Sequence, residues 1–184
     1  MDKIAIIDID NTLWQFSDAF FEELRKINKD FPTPENWTHW WSIWQGYCTE
    51  QDFYGAINAI HMKQDSDNYQ PYPEAKSFLS GMKQSGYHIT IASHRSPEFM
   101  DQTERWLKKH GLLHDDIYLS HHKTELFNTE TNVVVDDAPE VLERAVENGA
   151  LATGLLFPWN RAFRNNGFRL CSNLDEILDG ILKQ

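Results

Sequence analysis

The chain has few cysteines, no long apolar run and a shortage of positive charge. Cys48 and Cys171 are its only two cysteines, far apart among 184 residues. Two isolated thiols exclude a disulfide framework, and neither has the spacing of a metal ligand. The N-terminal apolar run stops at Asp8, too early for a secretion signal. No stretch approaches the ~18 consecutive apolar residues that a membrane helix needs. A reducing cytoplasm is therefore the expected location. Lys and Arg number 17 against 28 Asp and Glu, a formal net charge of −11. That balance disfavours binding to nucleic-acid backbones or anionic membranes by bulk electrostatics. A small anionic substrate is still admissible, because a bound cation can reverse the local field. Internal repeats, low-complexity tracts and a P-loop are absent as well.

What is present is an ordinary globular composition, 41% hydrophobic and 24% charged, enough for one domain with a modest insertion. The segment Ile4-Ala5-Ile6-Ile7-Asp8-Ile9-Asp10-Asn11-Thr12 is the most informative. A buried strand ends in two carboxylates two residues apart, which point the same way. Buried together, they repel and are costly to desolvate. A cation between them, or one acid kept protonated, resolves the conflict, and both point to chemistry.

Further strands are expected at Tyr87–Ser93, Asp116–Ser120, Asn132–Asp136, Ala150–Phe157 and Phe168–Cys171, after a first at Ile4–Asp8. Helical patterns at Glu74–Gln84, Pro97–His110, Pro139–Asn148 and Leu174–Leu182 alternate with them, with Ser96 as the N-cap of the second. This alternation predicts an α/β fold: a Rossmann-like parallel sheet with helices on both faces. Residues 14–72 contain no strand pattern. They read as a small helical cap inserted after the first strand, with helices near Ser17–Asn28, Pro34–Tyr47 and Glu50–Met62. Residues 1–13 and 73–184 form the expected core.

Polar signals fall at or beyond the C-terminal ends of the predicted strands, where open parallel sheets bind ligands. Asp8 and Asp10 follow the first strand and Ser93-His94-Arg95 the second. Lys123 lies past the third, and Asp136-Asp137 follows the fourth. In this order the residues resemble the four motifs of the haloacid dehalogenase-like phosphohydrolase superfamily. The helical insertion and the Phe157-Pro158-Trp159-Asn160-Arg161 segment are most similar to its 5′(3′)-deoxyribonucleotidase branch. Asn11-Thr12 and Ser93-His94-Arg95 depart from that branch, which more often has Gly-Val and Ser-Pro there.

The resemblance implies a Mg²⁺-dependent phosphomonoester hydrolase. Asp8 would be the nucleophile that forms an aspartyl-phosphate, and Asp10 the acid and then the base. Ser93 and Lys123 would hold the phosphoryl group. Asp8, Asp136, the Asp10 carbonyl and, through water, Asp137 would surround the metal. Crowding by Asp8 and the acidic pair would raise the pKa of Asp10, with metal and Lys123 opposing. A small phosphorylated substrate, a nucleoside monophosphate first, is the implied partner. A Ser-x-Arg-Ser run with Val-Val-Asp-Asp also resembles the phosphatase domain of phage-type polynucleotide kinases, so a 3′-phosphatase on strand ends is the alternative. A non-catalytic binding or regulatory module of the same fold is a third reading.

Several residues stay open at this level. His94 and Arg95 are either a solvated loop or a contact to substrate, which suits an arginine fork. His121-His122 reads as a surface loop. Trp37, Trp40, Trp41 and Trp44 fall at i, i+3, i+4 and i+7, one face of the expected helix. They are the core of the insertion or an aromatic lid over a nucleobase. Trp14 and Phe16, directly after the first motif, are expected to overhang the pocket. The residues leave the oligomeric state open.

Overall fold

Alternation along the strands divides the core in two. Ala5, Ile7, Val133 and Val135 bury on one side of the sheet, whereas Ile6 and Val134 bury on the other. This is the period of two that a strand covered on both faces requires. The computed structural model describes residues 3–183; residues 1, 2 and 184 of the expected core lie outside the described residues. Six parallel strands result: β1 (Lys3–Ile7), β2 (Tyr87–Ser93), β3 (Asp116–Leu119), β4 (Thr131–Val135), β5 (Leu151–Leu155) and β6 (Arg169–Cys171). Their spatial order is β3-β2-β1-β4-β5-β6, so the chain leaves β1 toward one edge and later returns to its other side.

Three of the six helices cover one face, α3 (Ala75–Gln84), α4 (Met100–His110) and α6 (Leu174–Leu182), through Phe78, Met82, Trp106 and Ile177. The other face is covered by α5 (Pro139–Glu147), through Val141, Leu142 and Ala145, with Phe127 beside it. Among the described residues, no helix is long and apolar enough to cross a membrane.

Residues 14–72 supply α1 (Phe16–Ile27) and α2 (Glu50–His61). Thr49 caps α2 with a reciprocal capping box to Asp52. The two ends of the segment are pinned together, since Tyr72 N donates to Leu13 O at 2.8 Å and Trp14 bridges Pro71. Its buried Phe20, Trp37 and Phe53 belong to one continuous cluster with Ile7 and Ile91 of the sheet.

The expected helix at Pro34–Tyr47 does not form. Two single 3-10 turns, Pro34–Asn36 and Trp40–Ser42, stand there, separated by extended backbone at Trp37 and His39. Trp37 and Trp40 pack on each other and on Phe20 and Trp159, and Trp44 packs against the same core. Trp37 is fully buried against Phe20 and Trp159, with its N–H on Pro32 O, whereas Trp41 is 46% exposed. Trp37, Trp40 and Trp44 thus join the core, as one of the two readings expected, but without a helix, and Trp41 stands apart; tertiary packing overrides the local pattern. Before α4 a 3-10 turn at Pro97–Phe99 replaces the expected first helical turn, and the Ser96 hydroxyl caps nothing.

One glycine decides the position of an acid. A Cβ at Gly154 on β5 would lie 1.8 Å from the carbonyl oxygen of Asp136. Gly154→Ala is expected to lower unfolding free energy by about 3 kcal/mol, the upper range of overpacking, measured by urea denaturation. A loss within experimental error would show that Asp136 does not depend on this close approach.

Candidate active site

The strand ladders carry three acids to one rim. Asp8 N donates to Val135 O at 2.9 Å and Asp136 N to Thr153 O at 3.1 Å, so Asp8 and Asp136 leave β1 and β4 side by side. Lys123, in the turn after β3, places Nζ 2.6 Å from Asp8 Oδ1 and 2.6 Å from Asp136 Oδ2. All three side chains are at most 4% exposed. Asp137 joins them: single oxygens of Asp8, Asp136 and Asp137 lie within 4.8 Å of one another. Its Oδ2 accepts from Trp159 Nε1 at 2.9 Å and Asn11 Nδ2 at 3.3 Å, while Asn160 donates to its carbonyl. Asn11 turns the chain here with φ 57, a left-handed conformation that asparagine tolerates.

Burial sets the electrostatics. It pushes the Asp8 carboxyl up to about 7; Lys123 opposes it and Asp136 adds to it. Asp136 is raised by burial against the pull of Lys123, and Asp137 is raised well above the carboxylate range by burial and by Asp136. Burial alone would lower the Lys123 ammonium, but Asp136 and Asp8 outweigh it and hold the charge firmly. Three acids facing one ammonium leave two negative charges unmatched when all ionise. Hard oxygen donors with that excess fit a divalent cation.

Asp10, two residues from Asp8, has a different setting. Oδ1 accepts from Arg95 Nη2 at 2.5 Å and Trp14 Nε1 at 2.9 Å; Oδ2 accepts from Arg95 Nε at 3.0 Å and pairs with His61 Nε2 at 3.0 Å. Burial would raise this acid, yet Arg95 and then His61 overcome it and hold it far below the usual carboxylate range. The expectation that crowding raises Asp10 is thereby corrected: its neighbours are cations and donors rather than acids. Its side chain also stands outside the cluster of three acids, which leaves only its carbonyl for a metal.

Over these groups lies a cavity of about 320 Å³, with Asp8, Ser93 and Lys123 among its lining and aromatic walls from Phe16, Trp40 and Trp159.

The sequence pattern of the family described as 5′ nucleotidase, deoxy (pyrimidine), cytosolic type C, matches residues 2–182. The chain belongs to this family. It is a phosphatase of the haloacid dehalogenase-like superfamily. Solved structures share the fold at low identity. A predicted phosphoglycolate phosphatase from Haemophilus somnus superposes with a TM-score of 0.69 at 14% identity, covering 100% of this chain and 98% of that one. A predicted phosphatase from Clostridium acetobutylicum gives 0.69 at 16%, covering 100% of both. The D,D-heptose 1,7-bisphosphate phosphatase of B. bronchiseptica, solved with magnesium and phosphate, gives 0.54 at 15%, covering 98% of both. Among curated proteins nothing matches.

Other expected site residues of this nucleotidase-family phosphatase are sorted by the structure. Ser93, His94 and Phe16 line the cavity. The His94 imidazole is pushed down to about 3 by burial, aided by Lys123, His121 and His122. Trp14 does not overhang it: the ring is 2% exposed, packed beside Phe16, Tyr69 and Trp106, and its N–H is spent on Asp10. Arg95 also lines the cavity; it is buried rather than solvated, its fork holds Asp10, and its remaining N–H groups reach Thr103 and Gln64. Of the two expected surface histidines, both are exposed, but His121 also lines the cavity. His61, Tyr54 and Asn58 of α2 line it too. Sequence reading missed these three; only the helical pattern of α2 was visible, and it does not say which face meets a site 50 residues away. At the exposed rim Trp41 Nε1 donates to Glu140 Oε1 at 2.8 Å, joining the insertion to α5.

Raising the pKa of Asp8 from 3.8 to about 7 means that its folded form favours the proton. Its contribution to stability is complete below about pH 3.8 and is lost as pH rises toward 7. A cation bound to the ionised acids reverses that loss. The gain in Tm on adding MgCl₂ is therefore expected to be larger near pH 8 than near pH 5 by differential scanning calorimetry. An equal gain at both would mean that these carboxylates do not hold the ion.

Proposed function

We propose that the protein is a Mg²⁺-dependent hydrolase of small phosphomonoesters, nucleoside monophosphates first, working through an aspartyl-phosphate on Asp8. The observation that carries the proposal is the Lys123 ammonium held 2.6 Å from both Asp8 and Asp136, with Asp137 beside them, under an aromatic cavity. Asp8, Asp136 and Asp137 would hold the ion, with the Asp10 carbonyl. Its chemistry there is to neutralise the phosphate and lower the pKa of Asp8.

An Asp8 oxygen attacks phosphorus and the ester P–O bond breaks. Asp10 delivers a proton to the departing oxygen, and since Arg95 and His61 keep it ionised in the resting site, it must take up that proton from solvent against their pull as substrate binds. In the second step Asp10 takes a proton from water, whose oxygen attacks phosphorus, and the Asp8–phosphorus bond breaks to release inorganic phosphate. Ser93 donates a hydrogen bond to a phosphoryl oxygen, and Lys123 offsets charge on Asp8 and the phosphate. Positioning and charge neutralisation are most of what phosphoryl transfer requires.

Family membership supports a nucleotide. So does a cavity of about 320 Å³, of a size for a mononucleotide, with Trp40, Phe16 and Trp159 among its lining. In this reading residues 14–72 act as the cap, His94 contacts the substrate and Phe16 contributes to the base wall. The Trp41–Glu140 bond across the rim speaks against a polymer end.

A panel of deoxynucleoside monophosphates, sugar phosphates, p-nitrophenyl phosphate and a 3′-phosphorylated oligonucleotide, assayed with Mg²⁺, tests this. The nucleotides are expected to give the highest kcat/KM, and Asp8→Asn to lose activity by about a thousandfold or more with an unchanged circular dichroism spectrum. A higher kcat/KM on the oligonucleotide would favour the strand-end phosphatase, and no turnover on any ester would favour the non-catalytic module.

A further inference from the structure

We propose that His61 is a positioning residue for Asp10, supplied by the inserted segment, so that the base for water is fully oriented only while that segment is docked. The inference deepens the proposed function and rests on it.

Asp10 accepts bonds on both oxygens, and the carboxylate cannot rotate about Cβ–Cγ without giving up several of them. Arg95 follows β2 and Trp14 stands at the very start of the insertion, pinned to its other end at Pro71; His61 arrives from the last residue of α2. Its ring is 3% exposed and is held between Phe16 and Phe99, each with its centroid 5.5 Å away. Gln64, three residues on, is fully buried and accepts from Arg95 Nη2 at 3.2 Å, so the insertion touches both members of the Asp10–Arg95 pair.

Stability alone does not account for this arrangement. His61 Nδ1 and Gln64 Nε2 are buried without partners. A half-satisfied buried polar pair is worse for folding than an apolar contact of the same shape. What the two residues add is a fixed direction for Asp10. A purely structural tie and a positioning role differ in which reaction step they affect. With p-nitrophenyl phosphate the leaving group needs no proton, so the first turnover makes little demand on Asp10. Hydrolysis of the aspartyl-phosphate demands it fully as base.

The test compares His61→Phe, which keeps an aromatic ring in the slot, with His61→Gln, which restores an N–H donor. For each Mg²⁺-loaded protein, rapid-quench kinetics on p-nitrophenyl phosphate give the first-turnover rate and the steady-state rate. In His61→Phe the ratio of the first to the second is expected to rise about tenfold, a modest share of what acid–base catalysis supplies. A burst of p-nitrophenolate matching the enzyme concentration should accompany it, and His61→Gln should return the ratio toward the original. Proportional loss in both rates, or a glutamine variant that behaves like the phenylalanine one, overturns the inference. If the phenylalanine variant does not fold, His61→Asn, too short to reach Asp10, takes its place against His61→Gln. Absence of turnover in the unsubstituted protein would instead overturn the proposed function, and this inference with it.

Discussion

The rest of the site depends on the Lys123 ammonium lying between Asp8 and Asp136. Carboxylates this deeply buried would otherwise take up protons rather than bear the cost of desolvation. One ammonium at 2.6 Å from two of them keeps part of the negative charge in place. Buried ion pairs of this kind are weak contributors to stability, because desolvation offsets most of the attraction. The arrangement is better understood as a charge preset for a ligand. The surroundings serve the same end: Gly154 lets β5 approach the Asp136 carbonyl, and Trp159, Asn11 and Asn160 fix Asp137.

Asp8 and Asp10 are two residues apart and chemically opposite. Asp8, just past β1, is raised by burial and then by Asp136; Asp10 is lowered by Arg95 and His61 against its burial. Two acids whose surroundings drive their pKa values apart are suited to different tasks. In the proposed reading Asp8, held by Lys123, is the nucleophile, and Asp10, kept ionised by Arg95 and His61, is the base for water. β1 ends at Ile7, before both acids, and the chain takes a left-handed turn at Asn11 immediately after Asp10.

What could be read from the sequence follows from how each residue is fixed. The order of strands and helices, and the meeting of Asp8, Ser93, Lys123, Asp136 and Asp137 at one rim, was visible because ladders set Asp8, Ser93 and Asp136 at strand ends and the other two follow within a few residues of β3 and β4. A residue at the end of a parallel strand has little freedom about where it stands. The insertion is different. Its side chains are placed by packing between distant elements, so the spacing of Trp37, Trp40, Trp41 and Trp44 suggested a helix that does not exist. Trp14 lay in the expected place but turned inward, because Asp10 offers an acceptor there. Arg95 was open between solvent and substrate, and its true partner, Asp10, is 85 residues away. His61 had no local signature at all.

These contacts also constrain how a substrate reaches the acids. Swinging residues 14–72 away from the sheet would expose Trp37, Phe20 and Phe53, which are fully buried in a cluster continuous with β1 and β2. Each such side chain loses about 1.5–3 kcal/mol on exposure, and the Asp10–His61 contact would break as well. At the rim, by contrast, the Trp41–Glu140 hydrogen bond joins two partly exposed groups and is worth about 0.5–1.5 kcal/mol. Trp41 is already 46% exposed. Opening at that rim is cheaper by several kcal/mol than lifting the segment as a body. In the proposed reading a small substrate would pass beside Trp41 while α2 stays docked and His61 stays in contact with Asp10. A polymer end, in the same reading, would need the wider movement, which would break the contact of His61 with Asp10.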